Sequence, residues 1–223
     1  MLQRLKSIQT RITAACERSQ RDPAQVVLLP VSKTFNDEAV LQAKGLGFVR
    51  FGENRAADIQ ARVKALGDEG LQWVMIGYVQ SNKAKEIARY AAEVQSLDRI
   101  SLAEALDRRL QIEGRQLNVL IQIKTAAESA KSGLEPAELL PFLSALKPYH
   151  SLRPVGLMTM ATQTTDETEI RRCFSLARRS LVSAQDAGMD MHRLSMGMSN
   201  DFELAIEEGS TEIRVGSALF GSR

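Results

Sequence analysis

The sequence predicts an α/β fold, a single (β/α)8 barrel of the TIM type with one extra helix at its N-terminus. Short β-rich runs alternate with longer segments of helical period along the chain, as repeated βα units require. Eight such runs in 223 residues suit a parallel barrel better than an open doubly wound sheet, which uses fewer strands. No Pro/Gly/Ser-rich linker, low-complexity tract or charge block divides residues 1–223, so one domain is expected.

In chain order, Leu2, Leu5, Ile8, Ile12 and Ala15 recur on one helical face and predict an amphipathic helix packed on the body of the protein. This start is basic until Glu17, like a transit peptide, but the apolar stripe accounts for it. The strands are expected at 26–32, 48–52, 73–76, 94–97, 119–123, 154–158, 193–196 and 212–215. Helices are expected to begin near Asn36, Asn54, Ser81, Ser101, Pro136, Asp166 and Asn200, residue types that helix starts favour. After the last strand, 217–223 is too short for a full closing helix.

Composition excludes several functions. The 29 basic and 27 acidic residues interleave to a net charge of +2, leaving no broad field for nucleic acid or an anionic membrane. No apolar stretch approaches the roughly 18 residues of a membrane span. Cys16 and Cys173 match neither a disulfide framework nor a zinc spacing, which points to a reducing, cytoplasmic compartment. His150 and His192 have no ligand cluster near them, and no GxGxxG or P-loop is present.

The groups that could carry chemistry lie at strand ends, where barrels place their sites. Lys33 ends the apolar run of the first strand. An ammonium there must be solvated, paired or deprotonated, and desolvation favours the nucleophilic amine. Position alone better fits a lysine that snorkels to water. Phe51-Gly52-Glu53-Asn54 could approach a ligand or simply cap the next helix. The loop through Gly197, Met198, Ser199, Asn200 and Asp201, and the strand end Arg214-Val215-Gly216-Ser217, are candidate anion cradles. Glycine-containing loops at helix starts offer free N–H groups and the helix dipole. They follow strands seven and eight, where barrel phosphate sites are commonly built. The arginines from Arg171 to Arg179 read as a solvated face over a core stripe of Phe174, Ala177 and Leu181.

These residues together resemble the pyridoxal 5′-phosphate (PLP) homeostasis proteins, also called proline synthase co-transcribed proteins. The match is collinear over nearly the whole chain. It runs through Val31-Ser32-Lys33-Thr34, Phe51-Gly52-Glu53-Asn54, Ile76-Gly77 with Gln80-Ser81-Asn82-Lys83, and Glu128 with Lys131-Ser132-Gly133. It continues through Gly156-Leu157-Met158, Gly197-Met198-Ser199 with Asp201 and Glu203, and Arg214-Val215-Gly216-Ser217. The resemblance implies a PLP fold type III barrel like the N-terminal domain of alanine racemase, with Lys33 forming the Schiff base to PLP. Ser199, the backbone of Gly197 and Met198, and Gly216 with Ser217 would hold the phosphate. Arg214 would sit near the pyridine nitrogen, and Asn54 and Met158 would line the ring. It further implies a protein that buffers PLP or delivers it to apo PLP-dependent enzymes, affecting amino-acid and keto-acid balance without a reaction of its own; a monomer is expected.

Three residues depart from the family pattern. Val74 stands where many members have His, Lys124 where they have Asn, and Pro30 in place of a small residue. Lys124 is expected to be a second lysine at the barrel mouth, and Pro30 removes an N–H from a strand expected to be paired on both sides. Two other functions remain in view. A PLP-dependent amino-acid racemase would need an opposite-face base, which alanine racemase takes from a second β-rich domain that is not expected beyond Arg223 here. A cofactor-free Schiff-base aldolase would use Lys33 or Lys124.

Overall fold

In the computed structural model, which describes residues 1–67, 69–126 and 132–221, all eight expected strands form. They are β1 (Val27–Pro30), β2 (Arg50–Glu53), β3 (Gln72–Met75), β4 (Ala91–Leu97), β5 (Leu117–Gln122), β6 (Leu152–Met158), β7 (Arg193–Ser195) and β8 (Glu212–Val215). Neighbouring strands pair in parallel in the order β1-β8-β7-β6-β5-β4-β3-β2. The ring closes through a single bridge, Val31 to Gly52, with Ser32 N–H donating to Gly52 O at 3.0 Å.

Pro30 explains why that seam is narrow. Val27 and Val31 donate their N–H groups to Thr211 and Val215 on the β8 side. Successive strand residues alternate in direction, so position 30 faces β2, and proline brings no N–H to that side. The proline is therefore accommodated where the ladder shrinks to one bridge, and β1 keeps its full pairing with β8.

The helices are α1 (Leu2–Arg18), α2 (Asp37–Lys44), α3 (Ala56–Leu66), α4 (Ala84–Tyr90), α5 (Ile100–Glu113), α6 (Leu139–Leu146), α7 (Glu167–Asp186), α8 (Phe202–Glu207) and the single turn α9 (Ser217–Phe220). Asn36 and Asp166 cap α2 and α7 through their side-chain oxygens, to Ala39 N–H at 3.0 Å and Thr168 N–H at 2.9 Å. Pro136 opens a short 3-10 turn before α6 with a reciprocal Glu135 and Glu138 box. Asn54 does not cap α3: the cap position is Arg55, which makes no side-chain capping bond. Along α7, Ile170, Cys173, Phe174, Ala177, Leu181 and Ala184 are buried, while Arg171 reaches Glu207 and Glu208.

The extra helix α1 lies against α8 and α9. Arg4 donates to the carbonyls of Leu219 and Phe220 at 2.8 Å each, and Arg11 grips Glu203 with two bonds of 2.7 Å. It buries Leu5, Ile8, Ile12, Ala15 and Cys16. Leu2, expected on that face, is 52% exposed instead.

The barrel interior is partly charged. Glu93 and Glu212 are buried and shared by Arg50 and Arg193, with Gln95 donating to both carboxylates. Burial alone would raise the Glu212 carboxyl, but Arg193 and Arg50 hold it below its ordinary value. Gln95 in turn accepts from Ser195 Oγ at 2.8 Å, which carries the network toward the C-terminal mouth.

Candidate functional site at the barrel mouth

At the C-terminal ends of the strands lies a cavity of about 670 Å³. Of the nine residues singled out from the sequence, Lys33, Asn54, Met158, Met198, Ser199, Arg214, Gly216 and Ser217 line it, and Gly197 does not. Gly197 sits just behind, at φ +92°, where an added Cβ would fall 2.5 Å from Ala205 Cβ and 2.9 Å from Phe202 Cα. Its part is to fold the loop tightly onto α8.

The floor is Arg214, 5% exposed. Its guanidinium donates to Ser195 O and Oγ and to Thr159 O, all at 2.8 Å, and so ties the ends of β6, β7 and β8 together. Burial pushes its pKa down to about 10, against the raising influence of Glu212 and Asp201, so it remains a cation at neutral pH. Val31, Ile76 and the buried Met158 supply apolar wall.

The two loops expected to cradle an anion meet here. Ser199 Oγ accepts from Ala218 N–H at 3.5 Å, joining the loop after β7 to the one after β8. The helices that follow are only six and four residues long. Little macrodipole is available from them, so loop N–H groups and hydroxyls form the polar surface. One such N–H is already engaged: Met198 donates to Asp201 Oδ1 at 2.6 Å. Burial raises the Asp201 carboxyl, while this bond and Arg214 oppose the rise.

The far wall is the segment after β6, with Met160, Ala161, Thr162, Gln163 and Thr164. Nothing in the sequence marks it, because polar loop residues carry no period. The second lysine falls outside the cavity lining: Lys124 pairs with Glu135 at 3.2 Å. Val74 is fully buried within the barrel. Glu128 and Lys131 lie outside the described residues. Among the described residues no cluster of metal-ligating side chains occurs, and no helix is long and apolar enough to cross a membrane.

A parallel barrel with an exposed lysine beyond β1 and an arginine floor beneath polar loops defines a class, and comparison with known proteins agrees with it. The family model described as "Alanine racemase, N-terminal domain" matches residues 4–223. The Pseudomonas aeruginosa protein named "Pyridoxal phosphate homeostasis protein" is 37% identical over 219 residues, covering 98% of this chain and 94% of its own. The chain belongs to the pyridoxal phosphate homeostasis protein family, within the alanine racemase N-terminal fold. PipY of Synechococcus elongatus PCC7942, solved with PLP bound, superposes with a TM-score of 0.82 at 36% identity, over 96% of this chain and 100% of that one. Alanine racemase of Clostridium difficile 630, at 14% identity and a TM-score of 0.75 over 57% of its length, shares the fold.

Proposed function

We propose that this chain binds PLP at the barrel mouth, with Lys33 as the amine that forms the Schiff base, and serves PLP homeostasis in the cytoplasm as a monomer. The observation that carries the reading is the convergence of a primary amine, a buried cation and hydroxyl-bearing loops on one cavity. The donor set fits the cofactor: Lys33 suits an aldehyde, Ser199, Ser217 and the Gly216 backbone suit a phosphate, and Asn54 and Met158 flank the space for a ring. The backbone at Gly197 and Met198 shapes the phosphate loop, and Met198 N–H is shared with Asp201. When bound, PLP supplies an electron sink; the Arg214 guanidinium would face the ring as a fixed cation, would disfavour protonation of the pyridine nitrogen and so would weaken that sink.

Storage and delivery to apo PLP-dependent enzymes is favoured over racemisation. A racemase needs a second base on the opposite face, and Tyr78, Tyr90 and Tyr149 all lie outside the cavity lining. The names of the relatives point the same way.

Purified protein given PLP should absorb near roughly 420 nm as a Schiff base. Lys33→Ala should abolish that band and Lys124→Ala should keep it; the reverse outcome would reassign the lysine. Incubation of the PLP-loaded protein with an enantiopure amino acid and chiral analysis should show no inversion, and rapid inversion would establish a racemase.

A further inference from the structure

We propose that Arg62, together with Glu53, is a positioning residue for Lys33: it clamps the strained turn that carries the lysine and so aims its amine into the cavity. The inference rests on the assignment of Lys33 as the PLP lysine.

The turn is Ser32-Lys33-Thr34-Phe35, closed by Phe35 N–H donating to Ser32 O at 3.0 Å. Thr34 sits at φ +70°, and Gln20 is the other non-glycine residue with positive φ among those described. A β-branched residue in the left-handed region is strained by about 1–3 kcal/mol and persists only where its surroundings over-determine it. Lys33 is therefore held next to a backbone conformation that the turn would leave if released.

Arg62 supplies the restraint from α3, behind the strand end. Its Nη2 donates to both ends of the turn, to Ser32 O at 3.3 Å and to Phe35 O. Its Nη1 pairs with Asp37, the first residue of α2, and its Nε reaches Glu53 Oε1 at 3.4 Å. That same oxygen accepts from Ser32 Oγ at 2.7 Å, so the residue before Lys33 is held through both its side chain and its carbonyl. Glu53 is 1% exposed, and among the described residues its Oε2 has no hydrogen-bond partner. A carboxyl so placed is costly to bury, and desolvation raises its pKa although Ser32 and Arg62 oppose this. The far side of the turn is fixed by Phe35, whose ring stacks on Phe220 at 4.7 Å between centroids. Packing alone calls for none of this polar apparatus, and Arg62 and Glu53 do not line the cavity themselves.

The step that depends on this geometry is condensation. The neutral amine of Lys33 forms a C–N double bond to the aldehyde carbon, the C=O bond breaks, and its oxygen leaves as water with the two amine protons. A ligand that keeps the ring and phosphate but lacks the aldehyde does not need that alignment. Pyridoxamine 5′-phosphate is such a ligand, and its binding separates aim from architecture.

The test compares PLP, followed by absorbance near roughly 420 nm, with pyridoxamine 5′-phosphate, followed by calorimetry, in wild type, Arg62→Ala and Arg62→Lys. The expected result is a PLP affinity weakened about tenfold or more with pyridoxamine 5′-phosphate affinity within about twofold of wild type. Arg62→Lys, a point charge without the planar fork, should show the same selective loss in smaller degree, and it decides the matter if Arg62→Ala does not fold. Adding Thr34→Gly to Arg62→Ala should restore part of the lost PLP binding, since glycine adopts the turn without strain. Unchanged PLP affinity, or equal losses for both ligands, overturns the clamp. If Lys33→Ala itself keeps the absorbance band, the lysine assignment has failed instead, and the two failures are distinguished.

Discussion

At the residue scale, Gly197 shows how a cavity-lining loop depends on a residue that does not itself line the cavity. Its φ of +92° and the 2.5 Å approach an added Cβ would make to Ala205 leave no room for a side chain. Gly197→Ala should therefore destabilise the protein by about 2–4 kcal/mol, combining overpacking with left-handed strain. It should also weaken PLP retention, because Met198 and Ser199 ride on the displaced loop. Urea unfolding of the variant checks the first effect and equilibrium dialysis of PLP the second; wild-type values for both would mean that the loop shifts freely. Lys33, Ser199 and Arg214 stood out in the sequence because a polar group at the end of an apolar run or in a glycine-containing loop is conspicuous, and the structure brings all three to one cavity. Gly197 was legible as important but not as structural, since a glycine in a polar loop reads equally as ligand contact or tight turn. Arg62 carried no signal at all. On α3 it looks like any solvated helix charge; Glu53 comes from the strand just before it, while Ser32, Phe35 and Asp37 are brought to it by closure of the barrel.

At the element scale, every strand was visible because each buried run contrasts with the helix before and after it, but the boundaries were less so. β4 begins at Ala91, three residues before the expected 94, because α4 ends at Tyr90 and passes into the strand without a loop. No turn residue marks a junction of that kind. Helix α1 was legible as amphipathic, whereas its task was not: it packs on α8 and α9, beside the place where the single turn α9 stops short of a full closing helix. Ile8, 2% exposed, is one of its anchors. Ile8→Ala should cost about 2–5 kcal/mol and lower the thermal midpoint by roughly 2–4 °C for each of them. Calorimetric scanning measures this, and PLP affinity at 25 °C should stay near wild type because Ile8 does not line the cavity at the mouth. A thermal midpoint unchanged in Ile8→Ala would show that α1 is dispensable to the closed ring.

At the scale of the whole molecule, the barrel is held from within by charge as well as by packing, and this gives its stability a defined pH dependence. Arg50 on β2 and Arg193 on β7, both half-buried, share the buried Glu93 on β4 and Glu212 on β8, so one charged cluster spans strands from all sides of the ring. Removing one partner leaves the others desolvated and under-compensated, which costs about 3–5 kcal/mol. Glu212→Gln keeps the shape and an acceptor but leaves two arginines to one carboxylate, and should lose stability of that order at neutral pH. The sign with pH follows from the direction of the shift. Burial works to raise Glu212, yet Arg193 and Arg50 prevail and its folded pKa lies below the ordinary 4.5. The group therefore contributes stability above that ordinary value, and the contribution disappears as pH falls through the lower folded one. Urea unfolding of wild type and Glu212→Gln at a series of pH values should give a gap that is constant from neutral pH down to about 5 and narrows below 4.5, as wild type loses the ionised carboxylate that the variant never had. A gap that persists undiminished through pH 3 would mean that the variant disturbs packing or hydrogen bonding to Gln95 rather than charge, and the ionic account of the barrel interior would fail.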